Sequence, residues 1–471
     1  MEPKPERGPL PLLAAVGPAA QQQSQQQVEA QIEALGAQIR RLEERGIASN
    51  PLAAGYPTPE GGPRPLGAAL GPGLLVAATG VGAGDLATAS IAGSKLGPAV
   101  LWAVVLGALV KLALTEGLAR WQLATGETLV AGTVRRLGRP VALVFLVYLL
   151  VWSVFVGRAL VSACGVTAQA LAPVFVDPVS GKIVFGAAHS LAGIILVLAG
   201  GYRLFERVMS FAIGLMFVTV VVTAILLRPE LGTLVRGLFV PSIPDLAGDG
   251  LVWTVALLGG VGGTVTLLCY GYWIREEGCE GPAALALCRI DLASGYAMTA
   301  LFGLAMVTIG STVRLEGGGA MLLVQLGDRL GESLGAGGRW LFLLGAWGAV
   351  ASSLLGVWQS IPYLFADLWR LLTRPAARAG EPVDTRGLPY RGYLVALGLV
   401  SIGGLFSSFV QIQKIYAVVG ALFIPLLALA LLVLNGRAAW VGREHRNGPL
   451  AGGVLIASLA LFAFFGYLQL R

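Results

Sequence analysis

"LLVAATGVGAGDLATASIAG" (residues 74–93) is apolar enough to cross a bilayer, yet glycine fills three of the five positions 80–84 and an aspartate, Asp85, follows directly. Inside lipid a helix must satisfy its own backbone, so an interrupted stretch survives only where it lines a cavity or is buried in protein. A carboxylate near the bilayer centre costs at least ~2.5–3.5 kcal/mol on insertion scales, so it needs a partner or a function. The stretch reads as a transmembrane helix built to break beside a charge.

The rest of the chain fits that reading. Of its 471 residues 56% are hydrophobic and 13% charged, with a mean hydropathy of +0.76, whereas a soluble protein carries roughly 25% charged residues. Eleven apolar segments follow one another, near 67–94, 98–124, 140–172, 185–201, 204–228, 250–276, 286–312, 336–371, 391–410, 412–435 and 449–469. Each is long enough for a hydrocarbon core of ~30 Å at 1.5 Å per residue. The predicted fold class is an all-α polytopic membrane protein. Its net charge of +7 then reports loop orientation and not a nucleic-acid partner. With the N-terminal tail inside, sixteen loop Lys and Arg fall on the tail's side, before the tail itself is counted, and nine on the other. The expected location is the plasma (inner) membrane, with the N-terminus cytoplasmic and the C-terminus outside.

Residues 1–66 read as a separate cytoplasmic tail, largely disordered, ahead of a transmembrane domain over 67–471. The start, MEPKPERGPLP, is too broken by proline for a signal peptide. After QQQSQQQ (21–27), Val28, Ile32, Leu35, Ile39 and Leu42 follow a 4-3-4-3 spacing. That is a heptad seam about two heptads long, which predicts a short amphipathic helix over 28–45. Residues 50–66 are a Pro/Gly linker.

A second glycine cluster, Gly259-Gly260-Val261-Gly262-Gly263-Thr264, interrupts segment 6. Segments 1 and 6 each begin a group of five. Interrupted segments at matching positions of two halves point to the midplane site of an inverted-repeat transporter. Glycines that merely allow close helix packing are the bland alternative. The candidate donors for a metal are the Asp85 carboxylate, the carbonyls of Gly82, Ala83, Gly262 and Gly263, and the hydroxyls of Thr264 and Thr266, with Thr79 and Tyr270 nearby. These hard oxygen ligands suit Mg²⁺, Mn²⁺ or Ca²⁺. Lys111 and Arg158 are alternative ion-pair partners for Asp85, while Glu116, Asp291 and Asp367 lie near segment ends and read as interfacial.

His189 and His445 read as loop or helix-end residues, and Cys164, Cys269, Cys279 and Cys288 lack metal-site spacing. With no nucleophile–base constellation and no Walker lysine, the chain is not expected to be an enzyme or to hold a cofactor. A divalent metal ion enters as transported substrate, and the lipid bilayer is the other expected partner.

On these residues the chain resembles the Nramp family of divalent metal transporters. "GPGLLVAATGVGAGDLATA" (71–89) is similar to that family's first helix, "LTEGLARWQLATGETL" (114–129) to its second, "YRLFERV" (202–208) to the start of its fifth and "ALFIPLLALALLVLN" (421–435) to its tenth. The resemblance implies a leucine-transporter-type fold of about eleven helices, with five-plus-five inverted repeats, broken helices 1 and 6 and alternating access. It also exposes departures. The family's Asp-Pro-Gly-Asn falls on Gly82-Ala83-Gly84-Asp85, the sixth-helix Met-Pro-His is missing near Gly262–Thr266, and the tenth-helix glutamine falls on Val418. Loss of the soft methionine and of the proton-coupling histidine and aspartate is similar to the Nramp-related magnesium transporters. The expected function is therefore transport of a hard divalent cation, Mg²⁺ or Mn²⁺, with weak or no proton coupling. A Na⁺- or H⁺-coupled carrier of a small organic solute on the same fold, and a non-transporting membrane scaffold, are the rivals.

Overall fold

A computed structural model describes residues 71–246, 248–313, 322–374 and 383–469; the tail, its expected helix over 28–45 and the linker lie outside the described residues. Helix α1 (Gly71–Gly80) runs into a π-helical stretch, Val81–Thr88, and continues as α2 (Ala89–Leu96). Gly97, at φ +66° and ψ −164°, ends α2, and α3 (Leu101–Thr125) follows. The apolar run Asp85–Thr125 has 41 residues, ~60 Å if straight. That is about twice the hydrocarbon thickness, so Gly97 divides it into the first and second spans.

After the short α4 (Leu129–Leu137), α5 (Arg139–Leu171) forms the third span. The fourth and fifth expected segments share one helical run, α6 (Pro178–Leu226), and the boundary expected near Gly201 does not end the helix. Glycine is tolerated inside membrane helices. The end of α6, Phe217–Leu226, and α7 (Leu231–Phe239) make a pair bent by 120°. The sixth span is two helices, α8 (Gly250–Gly260) and α9 (Cys269–Glu276), and the seventh is α10 (Leu285–Gly310). Helix α11 (Leu322–Thr373) is interrupted at Gly335. It is followed by α12 (Leu388–Ile402), α13 (Phe409–Ala421), α14 (Phe423–Leu434), the single turn α15 (Ala438–Val441) and α16 (Pro449–Gln469). Among the described residues nine stretches are long and apolar enough to span a membrane, or ten with the bent pair. The difference from eleven arises where spans 1 and 2 join.

The helices form two groups. In one, α3 and the α1–α2 span lie against α10, and α8 lies against α3. In the other, α5, α6 and α11 contact one another and α12 touches all three. The π-helical stretch and α1 rest on α11, so the first span stands between the groups.

The polarity is inverted relative to a soluble protein. Leu143, Val144, Val147 and Ile195 are exposed, whereas Asp85, Lys111, Asp291 and Asp367 are buried, as a hydrocarbon solvent demands. Asp291 and Asp367 correct the interfacial expectation. Asp291 accepts from the Gly73 amide (2.7 Å) and the Tyr270 hydroxyl (3.0 Å). Asp367 accepts from Tyr272 (2.8 Å) and Thr128 (3.2 Å) and pairs with Arg370 (2.7 Å). Glu116 pairs with Arg120 and Arg289. All four cysteines are buried and none is in a disulfide.

His189 is also corrected: it stands inside α6, not at a helix end. Trp347 donates its indole N–H to His189 Nε2 (2.9 Å). That assigns the proton to Nδ1, which faces the Phe185 carbonyl at 2.7 Å, and the neutral ring is satisfied at both nitrogens.

Candidate substrate site

The two interruptions differ in kind. In span 1 the glycines produce a π-helical stretch, a widened ladder often found at functional sites, and not an unwound one. In span 6 the helix truly stops. Val261 turns to φ −58°, ψ 126°, Gly262 and Gly263 take φ +78° and +84°, and Thr264 sits at φ −135°, ψ −102°. Two successive positive φ values are accessible to glycine at little cost and to few other residues.

The interruptions meet backbone to backbone. A Cβ on Gly80 would lie 2.5 Å from the Gly263 nitrogen, so the approach of α1 to the break requires glycine there. One turn further on, Asp85 Oδ1 accepts the Gly262 amide at 2.8 Å. Asp85 is fully buried, and its Oδ2 has no hydrogen-bond partner among protein atoms.

Lys111 reaches the same break from α3. Its ammonium donates to the Gly259 carbonyl at 2.7 Å and to the Val261 carbonyl, and it acts electrostatically on Asp85. The approach rests on Gly107, one turn earlier on the same face of α3, where a Cβ would meet the Leu258 carbonyl oxygen at 2.8 Å. The charges match the backbone. The ammonium sits on carbonyls at the C-terminal end of α8, and the carboxylate sits on an amide freed by the break.

Tyr296 and Tyr416 both feel the Asp85 charge. Tyr296 is held by Thr115 at 2.8 Å, and Thr264 lies beside Tyr416. Thr299 packs its methyl near Gly262, and its buried hydroxyl has no partner.

Of the expected donors, Asp85 and Gly262 are in direct contact, and Gly263 lies beside them against Gly80. Gly82 faces α11 instead: its amide donates to Ser353 Oγ (2.6 Å), which donates to the Thr79 carbonyl (3.0 Å). Ala83 lies within the π-helical stretch. Thr264 packs on Gly420 of α13, and Thr266 lies near Gly263 in its own turn. Arg158, the other expected partner of Asp85, packs against Gly404 instead. Tyr296, Tyr416, Thr299 and Ser353 were not expected in the site; their signal is a polar group on an otherwise apolar helix face. Among the described residues no three His, Cys, Asp or Glu side chains cluster closely enough to hold a metal. Any cation here relies on one carboxylate and neutral oxygens.

The chain resembles known proteins over most of its length. It is 25% identical over 414 residues to the divalent metal cation transporter MntH of Aeromonas hydrophila, covering 83% of this chain and 93% of that one. To MntH of Chromohalobacter salexigens it is 26% identical over 259 residues, and the match spans 52% of this chain and only 56% of the relative's length. The manganese transporter of Eremococcus coleocola superposes with a TM-score of 0.64 at 17% identity, covering 85% of each chain. MhsT in complex with L-phenylalanine superposes at 0.59 and 17% identity, covering 84% of this chain and 97% of that one. The shared fold is the leucine-transporter type. Over residues 73–470 the sequence matches the family model for natural resistance-associated macrophage protein-like proteins, and the chain belongs to the Nramp family.

Proposed function

We propose that this protein carries a hard divalent cation, Mg²⁺ or Mn²⁺, across the membrane by alternating access, with weak or no proton coupling. The observation that carries the reading is Asp85 Oδ2: a buried carboxylate oxygen without a protein partner, at the meeting point of the two interrupted spans. The relatives named as divalent metal cation transporters support the cargo class. Asp85 supplies the charge. The carbonyls of Gly262 and Gly263 and the hydroxyls of Thr264 and Thr266, with Gly82 and Ala83 across the interface, supply neutral oxygens or hold the ion's waters. The same reading puts the protein in the plasma (inner) membrane with a cytoplasmic N-terminus.

The test is Mg²⁺ and Mn²⁺ uptake into proteoliposomes by wild type and Asp85→Ala, with and without a pH gradient. Wild type should take up at least one ion, the mutant should lose most of the uptake, and the gradient should change little. Equal uptake by the mutant removes Asp85 from the mechanism, and no divalent flux in wild type defeats the cargo.

One observation favours a second reading. Asp85 and Lys111 bring one charge of each sign to the break, an arrangement suited to a small organic solute with its own charged group. Binding calorimetry with divalent ions against amino acids and carboxylates separates the two.

A further inference from the structure

We infer that Lys111 is a tethered cation that holds the carbonyl oxygens freed at the span 6 break, next to the donors assigned to a transported cation, so that cargo binds only by displacing its ammonium. The inference rests on the cation-transport reading for its consequence, but the occupancy itself rests on geometry.

A helix that stops in mid-membrane leaves carbonyl oxygens without amide partners, and these carry the negative end of its dipole. At the end of α8 two such carbonyls, Gly259 and Val261, both accept from one ammonium, Lys111 Nζ. Gly262, the residue after that pair, gives its amide to Asp85. The ammonium thus holds the freed carbonyls directly and acts through space on the Asp85 charge, the two attractions that a cation at this break would exploit. Lys111 is fully buried, as is Asp85, and lies close to the middle of its span. The contact with Gly107 fixes how near α3 stands to the break.

Two consequences follow. With the ammonium in place the Asp85–Lys111 pair is neutral, so the empty site needs no ion to balance its buried carboxylate, and the unloaded carrier can reorient. A divalent ion arriving beside Asp85 meets a like charge in a medium that screens poorly. Lys111 must swing off the carbonyls, and its repulsion lowers the site's affinity. Lys111 is therefore an affinity-determining residue: it sets how strongly the site holds any cation.

The experiment uses the full-length protein in nanodiscs and proteoliposomes. Mn²⁺ and Mg²⁺ affinity is measured calorimetrically and the KM for uptake by flux, for wild type, Lys111→Gln and Lys111→Gln/Asp85→Asn. Glutamine keeps N–H donors for the carbonyls and removes the charge. Lys111→Gln should bind the divalent ion at least about tenfold more tightly than wild type, with a lower KM, and the double variant should lose the gain. Equal or weaker binding by a monodisperse Lys111→Gln protein overturns the inference.

A second arm needs no divalent ion. Thermal unfolding is followed in ethylammonium chloride and in tetramethylammonium chloride, for wild type and whichever of Lys111→Ala and Lys111→Ser is monodisperse. Ethylammonium, with its three N–H donors, should raise the variant's midpoint by binding the vacated carbonyls. It should not raise that of wild type, and tetramethylammonium should do neither. No ethylammonium-specific shift overturns the inference. If no protein binds a divalent ion, the cargo reading falls and this arm alone decides the role of Lys111.

Discussion

Gly80 stands so close to Gly263 that a Cβ on Gly80 would meet the Gly263 nitrogen at 2.5 Å and the Gly262 carbonyl carbon at 2.6 Å. Both are backbone atoms of a constrained turn and cannot move aside as a side chain would. Gly80→Ala should therefore destabilise the fold by about 1–3 kcal/mol, despite the better helix propensity of alanine. Gly214, also in a helix, has nothing within 4 Å of its built Cβ, so Gly214→Ala should leave stability unchanged or raise it by up to ~1 kcal/mol. Thermal midpoints of the purified variants check both, and equal midpoints for wild type and Gly80→Ala would contradict the close approach.

Asp291 gathers three elements onto one carboxylate: the start of α1 through the Gly73 amide, α9 through Tyr270, and its own helix α10. The charge also lies at the positive end of the α1 dipole. Asp291→Asn keeps an acceptor and loses the charge, so it should cost about 1–2 kcal/mol. Asp291→Leu strands the Gly73 amide in a buried site and leaves the Tyr270 hydroxyl its longer contact with the Cys288 carbonyl (3.4 Å), so it should cost more than the asparagine change, about 2–4 kcal/mol. Tyr270→Phe should cost less in the Asp291→Leu background than in wild type, because its 3.0 Å hydrogen bond to Asp291, shorter than the 3.4 Å one to the Cys288 carbonyl, is already gone. A Tyr270→Phe effect as large there as in wild type would refute the link.

The membrane-spanning pattern, the paired glycine clusters and Asp85 were legible in the sequence because each is a local deviation from an apolar background. Lys111 was visible as a charge in mid-segment, but its role was not. Its hydrogen-bond partners are backbone carbonyls 148 and 150 residues away, and carbonyls leave no mark in an amino-acid sequence. The same limit hid the form of the first interruption, since clustered glycines permit a π-helical stretch and an unwound one alike. Asp291 and Asp367 read as interfacial from their distance to segment ends; the tyrosines that let them be buried come from other spans. Gly201, at the end of the fourth expected segment, lies inside one helical run that also carries the start of the fifth.

Asp367 ties α4, α9 and α11 together. Thr128 caps α4 by accepting the Ala131 amide (3.1 Å) while giving its own hydrogen to Asp367, and Tyr272 donates from α9. Arg370, one turn along α11, supplies the countercharge at 2.7 Å. Removing the arginine leaves a buried carboxylate uncompensated, so Arg370→Met should cost about 3–5 kcal/mol. Arg370→Met/Asp367→Leu should cost clearly less than the sum of the single changes, because neither charge is then stranded. A double-mutant cycle on chemical-denaturation midpoints measures the coupling, and strict additivity would show that the pair contributes nothing as a pair.

Asp249, just before α8, is held by Lys414 of α13 at 2.6 Å and lies 4.0 Å from Lys95 at the end of α2. The hydrogen bond from Lys414, followed by the positive charges of Lys414 and Lys95, pulls its carboxyl below the ordinary carboxylate range. A carboxyl that is more acidic in the folded state stabilises the fold above its unfolded pKa of about 3.9. That contribution is lost as pH falls through the lower folded value. The Asp249 side chain is half exposed, so after solvent screening the effect should stay below about 1 kcal/mol. Asp249→Asn should unfold slightly earlier than wild type at pH 7 and pH 5. The gap should narrow below about pH 4 and shrink in 1 M salt, where the Debye length is about 3 Å. Unfolding midpoints of the two proteins at pH 7, 5 and 3.5, each at low and high salt, test this; a gap that ignores both pH and salt would assign the Asp249 contribution to something other than its charge.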